Sequence, residues 1–226
     1  MAPFKPRENF TARNQRIFKD EEAAIMEGRA YIGLICPGKD LLRFGRKFLL
    51  SFPEQIVRGK KRTRYVIGLS KGVNESNFVV GLRLESQTGE RERNLGSVSL
   101  GFDKDSVIMI PNGHFGEQPM LDRFKHITEK PWANYLVELI EEHARKNGFQ
   151  QVKIPVPESL YYYKNPVNVD SERETEQVRR RMRTFYGNVA RAMHYERKES
   201  KNLVRWLQKL AKGNPETKAT YFVKKL

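Results

Sequence analysis

Residues 136–156 read LVELIEEHARKNGFQQVKIPV, the pattern of an amphipathic helix that leads directly into a strand. We predict that Thr128 caps this helix and that Pro131 lies in its first turn, while Gly148 is typical of a helix end. One face carries the apolar or aromatic residues Trp132, Ala133, Leu136, Leu139, Ile140 and His143. Residues 151–156 then form a strand, so we expect the helix to pack on a sheet.

Four β-rich segments precede this helix, at residues 65–70, 78–85, 96–102 and 106–110. Turn residues separate them, which predicts an antiparallel meander. In the second segment Val79, Gly81, Arg83 and Glu85 alternate with apolar residues, so we predict one buried face and one solvated face. The glycines and prolines of residues 111–127 predict a loop.

The start of the chain gives weaker signals. Residues 1–20 contain scattered basic side chains and no hydrophobic period, and they predict a basic flexible arm. We expect a single α+β domain over residues 21–226, with a short helix from Asp20 and a strand at 31–36. Residues 39–57 show no clear pattern.

The C-terminal part begins with a Pro-flanked, Tyr-rich segment, 155–166, which we predict to be a loop. A long helix then spans about 172–194. Its apolar face carries Val178, Met182, Phe185, Val189 and Met193, and the other face carries Arg179, Arg180, Arg183 and Arg191. A third helix at 202–212 and a last strand at 219–226 complete an α+β fold with an antiparallel or mixed sheet and helices packed on it.

The composition predicts an anionic partner. The 226 residues carry 42 Lys and Arg against 27 Asp and Glu, a net charge of +15. This charge is +8 over residues 1–64, −2 over 65–170 and +9 over 171–226, so it belongs to the two ends. Whether the two ends form one basic face or lie apart stays open.

Cys36 is the single cysteine, which excludes an internal disulfide and a cysteine-based zinc site. No stretch approaches the roughly 18 apolar residues of a membrane span. We therefore expect a cytoplasmic protein without a membrane partner, and the sequence does not predict its oligomeric state.

The order of the elements resembles the GCN5-related N-acetyltransferase family: antiparallel strands, a helix that ends in Gly-Phe, a strand, another helix and a last strand. Residues 136–156 are similar to that family's cofactor helix and following strand. Residues 185–200, FYGNVARAMHYERKES, with the closing YFVKKL are similar to its penultimate helix and final strands. The resemblance covers roughly residues 100–226 and implies acetyl-CoA as the cofactor and acyl transfer to an amine.

That family binds the cofactor pyrophosphate with an Arg/Gln-x-x-Gly-x-Gly/Ala turn, whose amides and helix N-terminus attract the anion. The matching residues 128–133 read TEKPWA, and only Ala133 fits the motif. Pro131 removes an amide and Glu129 adds a negative charge. The resemblance places the cofactor at Lys130, Ala133 and Asn134, and the departures leave open whether acyltransferase activity is retained.

The same resemblance implies Glu85 as the base that deprotonates the amine and Tyr186 as the acid that protonates the leaving thiolate. The simpler interpretations are a solvated strand residue for Glu85 and an aromatic at the edge of the core for Tyr186. The four histidines lack metal-ligand spacing, so we predict no metal site. His143 lies on an apolar face and is predicted to be a hydrogen-bonded core histidine.

A second hypothesis is a basic protein that binds nucleic acid or a ribonucleoprotein without catalysis, on its own or within a larger assembly. Lys and Arg neutralise phosphates, and exposed tyrosines such as those at 161–163 stack on unpaired bases. The alternative interpretation of the basic residues is an ordinary solvated surface. The candidate contacts with RNA or DNA are Arg58, Lys60, Lys61, Arg62 and Arg64 in one loop and Arg179, Arg180, Arg183 and Arg191 on the long helix.

Overall fold

A computed structural model describes residues 9–28, 36–59, 63–72, 76–85, 93–113, 118–164, 166, 169, 171–200 and 219–226. Within these ranges the chain forms one mixed eight-stranded sheet with helices packed on it, which confirms the α+β class. Four predicted features lie outside the described residues: residues 1–8 of the basic arm, most of the strand at 31–36, the basic residues Lys60, Lys61 and Arg62, and the helix at 202–212. No helix within the described ranges is long and apolar enough to cross a bilayer.

The strands are β1 Gln55–Arg58, β2 Arg64–Lys71, β3 Phe78–Glu85, β4 Arg93–Phe102, β5 Ser106–Gly113, β6 Gln151–Pro155, β7 Glu196–Ser200 and β8 Ala219–Lys225. The helices are α1 Phe10–Met26, α2 Gly38–Ser51, α3 Gln118–Thr128, α4 Trp132–Lys146, α5 Tyr161–Lys164 and α6 Glu172–Ala192, with a 3-10 turn at Pro157–Ser159. The predicted strands of the meander, the helix–strand pair α4–β6, the long helix α6 and the last strand are all present.

The sheet has the order β1-β2-β3-β4-β5-β6-β8-β7. The β5–β6 pair is parallel and the other described pairs are antiparallel. Helices α1, α2 and α4 pack on one face, where Phe18 stacks on Phe78 and Phe48 contacts Phe102. Gly45 lets α2 approach closely, because a Cβ there would lie about 2.5 Å from the Phe102 ring.

Residues 10–20 are not a flexible arm, since they form most of α1 and bury Ile17 and Phe18. The hydrophobic pattern of α1 is weak because its buried face also contains Asn14 and Glu21. Asn14 donates to the Phe52 carbonyl at 2.9 Å, and Glu21 accepts from Asn77 at 2.9 Å. These hydrogen bonds satisfy polar groups on a core-facing helix, where an apolar period would otherwise be expected.

The face of the meander predicted to be solvated is buried. Val79 and Arg83 are 3% and 8% exposed, and Ser97 and Ser99 on the neighbouring strand are buried as well. Asn112 donates a hydrogen bond to the Ser99 hydroxyl at 2.8 Å, which satisfies part of this polar face. The alternation of polar and apolar residues therefore marks two buried faces of different polarity.

Two loop predictions are also corrected. Residues 111–127 contain the end of β5 and most of α3, and residues 155–166 contain a 3-10 turn and the short helix α5. Thr128 ends α3 and does not cap α4, whose N-cap is Pro131 without a side-chain hydrogen bond. Residues 39–57, which gave no pattern, form α2 and most of β1.

Candidate functional site

The sheet opens between β5 and β6. These strands pair over only three positions, from Ser106 with Gln151 to Ile108 with Lys153. Beyond Ile108, β5 continues to Gly113 in register with β4, while β6 continues against β8. The carboxyl-terminal halves of the two parallel strands therefore do not pair with each other, and this separation is called the opening below.

A proline explains where the pairing stops. Val156 donates its amide to the Thr220 carbonyl of β8. Successive residues of a strand direct their backbone groups to opposite sides, so the nitrogen of Pro155 points toward β5. The next bond of the parallel ladder would run from residue 155 to the Met109 carbonyl, and proline has no amide hydrogen to donate.

A second proline lies on the other wall of the opening. The Ser106 carbonyl accepts a hydrogen bond from the Asp103 amide in the β4–β5 turn. Because backbone groups alternate in direction along a strand, the even-numbered residues of β5 direct their amides and carbonyls toward β4. Pro111 is odd-numbered, so its nitrogen points into the opening. The β5–β6 ladder has already ended there, so the missing amide hydrogen of this proline breaks no ladder hydrogen bond. The walls therefore offer backbone carbonyl groups and few amide donors.

Helix α4 follows β5 and α3 in the chain and precedes β6. A helix that connects two parallel strands runs back along the sheet, so its N-terminus lies at their carboxyl ends. The amides of Trp132, Ala133 and Asn134 in its first turn have no partner within the helix. The N-cap residue Pro131 makes no side-chain capping bond. This end of α4 therefore presents donors and the positive end of a helix dipole to an anion.

The three predicted cofactor residues lie at this end of α4 in different environments. Ala133 is buried and can contribute only its backbone amide, and Asn134 is half-buried. Lys130 forms an exposed ion pair with Glu138 at 2.5 Å, so its ammonium group lies along the flank of the helix. Ala133 and Asn134 thus lie in the first turn of α4, and the ammonium group of Lys130 lies on the flank of the same helix.

The indole of Trp132 connects this site to α6. Its ring covers Gly96 of β4, where a Cβ would approach within 2.9 Å, and it stacks on Phe185 with ring centroids 6.0 Å apart. Phe185 also lines a groove of about 530 Å³ along α6. The other described lining residues are Gln177, Arg180, Arg181, Thr184 and Asn188. The α4 N-terminus and this groove therefore share an aromatic boundary.

The predicted arginines of α6 divide into two groups. Arg179 and Arg183 surround Tyr163, with guanidinium carbons 5.6 and 5.4 Å from its ring centroid. Arg183 also donates to the Tyr163 hydroxyl at 2.6 Å, a bond that raises the pKa of the guanidinium, and it pairs with Glu176. Arg180 and Arg191 are exposed and make no such contact within the described residues. Arg179 and Arg183 thus have a structural role that the sequence did not reveal.

The two predicted catalytic residues do not form a recognisable pair. Glu85 ends β3 and forms an ion pair with Arg64 of β2 at 3.0 Å. Tyr186 is buried, 3% exposed, and packs edge-on against Phe185. Of the predicted basic loop, Arg58 is exposed at the end of β1. Arg64 is thus the partner of Glu85.

His143 is a core histidine, as predicted. Its Nε2 lies 3.0 Å from the Phe48 carbonyl, and the ring packs between Phe48 and Phe52. Burial lowers the pKa of His143, so the neutral ring with Nε2 as donor is favoured. Among the described residues, no three His, Cys, Asp or Glu side chains are arranged to hold a metal ion.

The sequence analysis missed the strand opening and four groove residues, Gln177, Arg181, Thr184 and Asn188. Their spacing from Arg180 follows the helical period, which is a signal that could have found them. No protein-family model, curated protein or solved structure matches this chain.

Proposed function

We propose that this chain binds acyl-CoA in the manner of an N-acyltransferase, with the cofactor seated where β5 and β6 separate. The observation that carries the proposal is the short parallel pairing of these strands, which stops after three positions. Helix α4 lies between the two strands in the chain, so we expect its N-terminus toward their carboxyl ends. The order of strands and helices supports the same proposal, because it follows the order that the sequence resemblance implies.

The groups at the opening suit the two parts of the cofactor. The amides of Ala133 and Asn134 would hold the pyrophosphate, since anions bind at helix N-termini. The carbonyl groups of Met109 and Pro111 would accept hydrogen bonds from the amides of the pantetheine arm, as a strand edge does with an extended peptide. Bound acyl-CoA would supply an activated thioester.

The proposal covers cofactor binding and includes no catalytic step. Glu85 is held by Arg64, and Tyr186 is buried in the core. Their assignment as base and acid therefore stays a hypothesis from the sequence.

We expect acetyl-CoA to raise the melting temperature of the protein, because a ligand that binds only the native state stabilises it by mass action. The substitution Asn134→Glu should abolish this shift. A carboxylate in the first turn is favourable to the helix dipole, so the variant should fold well and yet repel the pyrophosphate. Differential scanning fluorimetry with acetyl-CoA, CoA and no ligand measures both effects.

Gln150→Glu is the matched control, because it adds the same charge at an exposed position beyond the other end of α4. This variant should keep the full acetyl-CoA shift. The proposal is wrong if the unsubstituted protein shows no shift at about 1 mM acetyl-CoA, the upper end of common cofactor affinities. It is also wrong if both variants lose the shift equally.

A further inference from the structure

Helix α6 carries a continuous polar stripe that is separate from the arginines around Tyr163. Advancing 100° per residue places the following seven side chains within about 100° of each other: Arg173, Gln177, Arg180, Arg181, Thr184, Asn188 and Arg191. The apolar residues that α6 packs against the core lie on the opposite side. From residue 173 to residue 191 the stripe is about 27 Å long, at about 1.5 Å per residue.

The arginines of this stripe are available to a partner. The side chains of Arg173, Arg180, Arg181 and Arg191 are exposed and make no ion pair or hydrogen bond with the part of the chain that the structure describes. Arg179 and Arg183, on the flank of the same helix, are instead held by Tyr163 and Glu176. The contrast shows that α6 uses some arginines for its own packing and leaves a stripe of others uncompensated.

An aromatic ring lies beside the central pair of arginines. Phe185 lines the groove with Arg180 and Arg181, and its ring is supported from below by Trp132 at 6.0 Å. A ring held in this way can stack on a flat base, and stacking is worth about 1–3 kcal/mol per base. The amides of Gln177 and Asn188 at the groove offer both hydrogen-bond donors and acceptors.

We propose that this stripe binds single-stranded nucleic acid, with phosphates on the arginines and a base on Phe185. A small phosphorylated ligand would fill the groove at Arg180 and Arg181 but would leave Arg173 and Arg191 unused. A strand of several nucleotides matches the length of the stripe, and the net charge of +15 favours a polyanion. This site does not depend on the opening between β5 and β6 or on acyl-CoA.

The test measures the affinity of a fluorescent RNA or DNA strand of about 12 nucleotides by anisotropy, without acyl-CoA and across a salt series. The double variant Arg180→Gln/Arg181→Gln should bind at least about tenfold more weakly. The negative slope of log affinity against log salt should become shallower by about 1.4, since each of the two lost phosphate contacts contributes about 0.7 on a single strand. Phe185→Leu should lose affinity with the slope unchanged, provided that its melting temperature shows a folded protein.

Arg123→Gln/Arg145→Gln is the charge-matched control, because both residues are exposed on helices α3 and α4 away from the stripe. It should keep the affinity and slope of the unsubstituted protein. The proposal is overturned if the two double variants behave alike, or if duplex of the same sequence competes as well as the single strand. Binding to vesicles that contain phosphatidylserine, without binding to the oligonucleotide, would also overturn it.

Discussion

His143 shows how a single buried ring makes stability depend on pH. Its pKa is lowered by burial, so the unfolded chain binds more protons than the folded chain between the two pKa values. The free energy of unfolding should therefore be fully retained above about pH 6.5 and fall as the pH drops below it. His143→Gln keeps a donor for the Phe48 carbonyl but does not titrate, and urea unfolding at pH 7 and pH 5 should show a smaller pH dependence.

The exposed residue His126 provides the control for this prediction. His126→Gln should leave the difference between pH 7 and pH 5 unchanged. If His143→Gln retains the full loss of stability on acidification, His143 does not contribute to it.

The thiol of Cys36 should be unreactive toward alkylating reagents in the folded protein. It is 2% exposed, its sulfur accepts a hydrogen bond from the Phe102 amide, and burial raises the pKa of the thiol to about 12. Because the thiolate is the reactive form, we expect iodoacetamide at pH 8 to modify the native protein far more slowly than the protein in urea. Mass spectrometry of the labelled chain measures both rates, and equal rates would contradict the prediction.

At the scale of elements, a buried carboxylate connects α4 to the last strand. Glu141 is 4% exposed and accepts from Lys224 of β8 at 2.6 Å and from the Tyr195 hydroxyl at 2.7 Å. Burial is the main cause that raises the pKa of Tyr195, and the negative charge of Glu141 raises it further. The phenol therefore stays protonated and donates its hydrogen bond to Glu141. Helix α4, strand β8 and the connection before β7 therefore meet at one charged group.

We expect Lys224→Met to destabilise the protein by about 3 kcal/mol, since it leaves a buried carboxylate without its cation. The neighbouring Lys225 is exposed, and Lys225→Met, with the same change in charge and shape, should cost well under 1 kcal/mol. Chemical unfolding of the two variants gives the comparison. Similar losses in both would mean that the Glu141 network does not stabilise the fold.

At the scale of the whole molecule, the sequence predicted those elements whose patterns are local. The helix α4 and the strand β6 were found because apolar spacing, Gly148 and the strand run agree with one another. Helix α1 was missed because Asn14 and Glu21 face the core, where hydrogen bonds to other elements compensate them. That compensation is tertiary and cannot be seen in the order of residues.

The candidate site was predicted in part for the same reason. The position of Ala133 and Asn134 at a helix start follows from local sequence, and the structure places them there. The opening depends on which strand faces Pro155, and the division of the α6 arginines depends on Tyr163. Both facts require the pairing of distant elements, which a single sequence does not specify.

The place of β8 in the sheet has a consequence for protein synthesis. β8 lies between β6 and β7, although it is made after both of them. The 25 residues from the end of β7 to the end of β8 take about 1–5 s to translate, at about 5–20 residues per second. Until β8 joins the sheet, the edges of β6 and β7 that pair with it are open, and open strand edges favour aggregation, so a chaperone that covers them should matter in this interval.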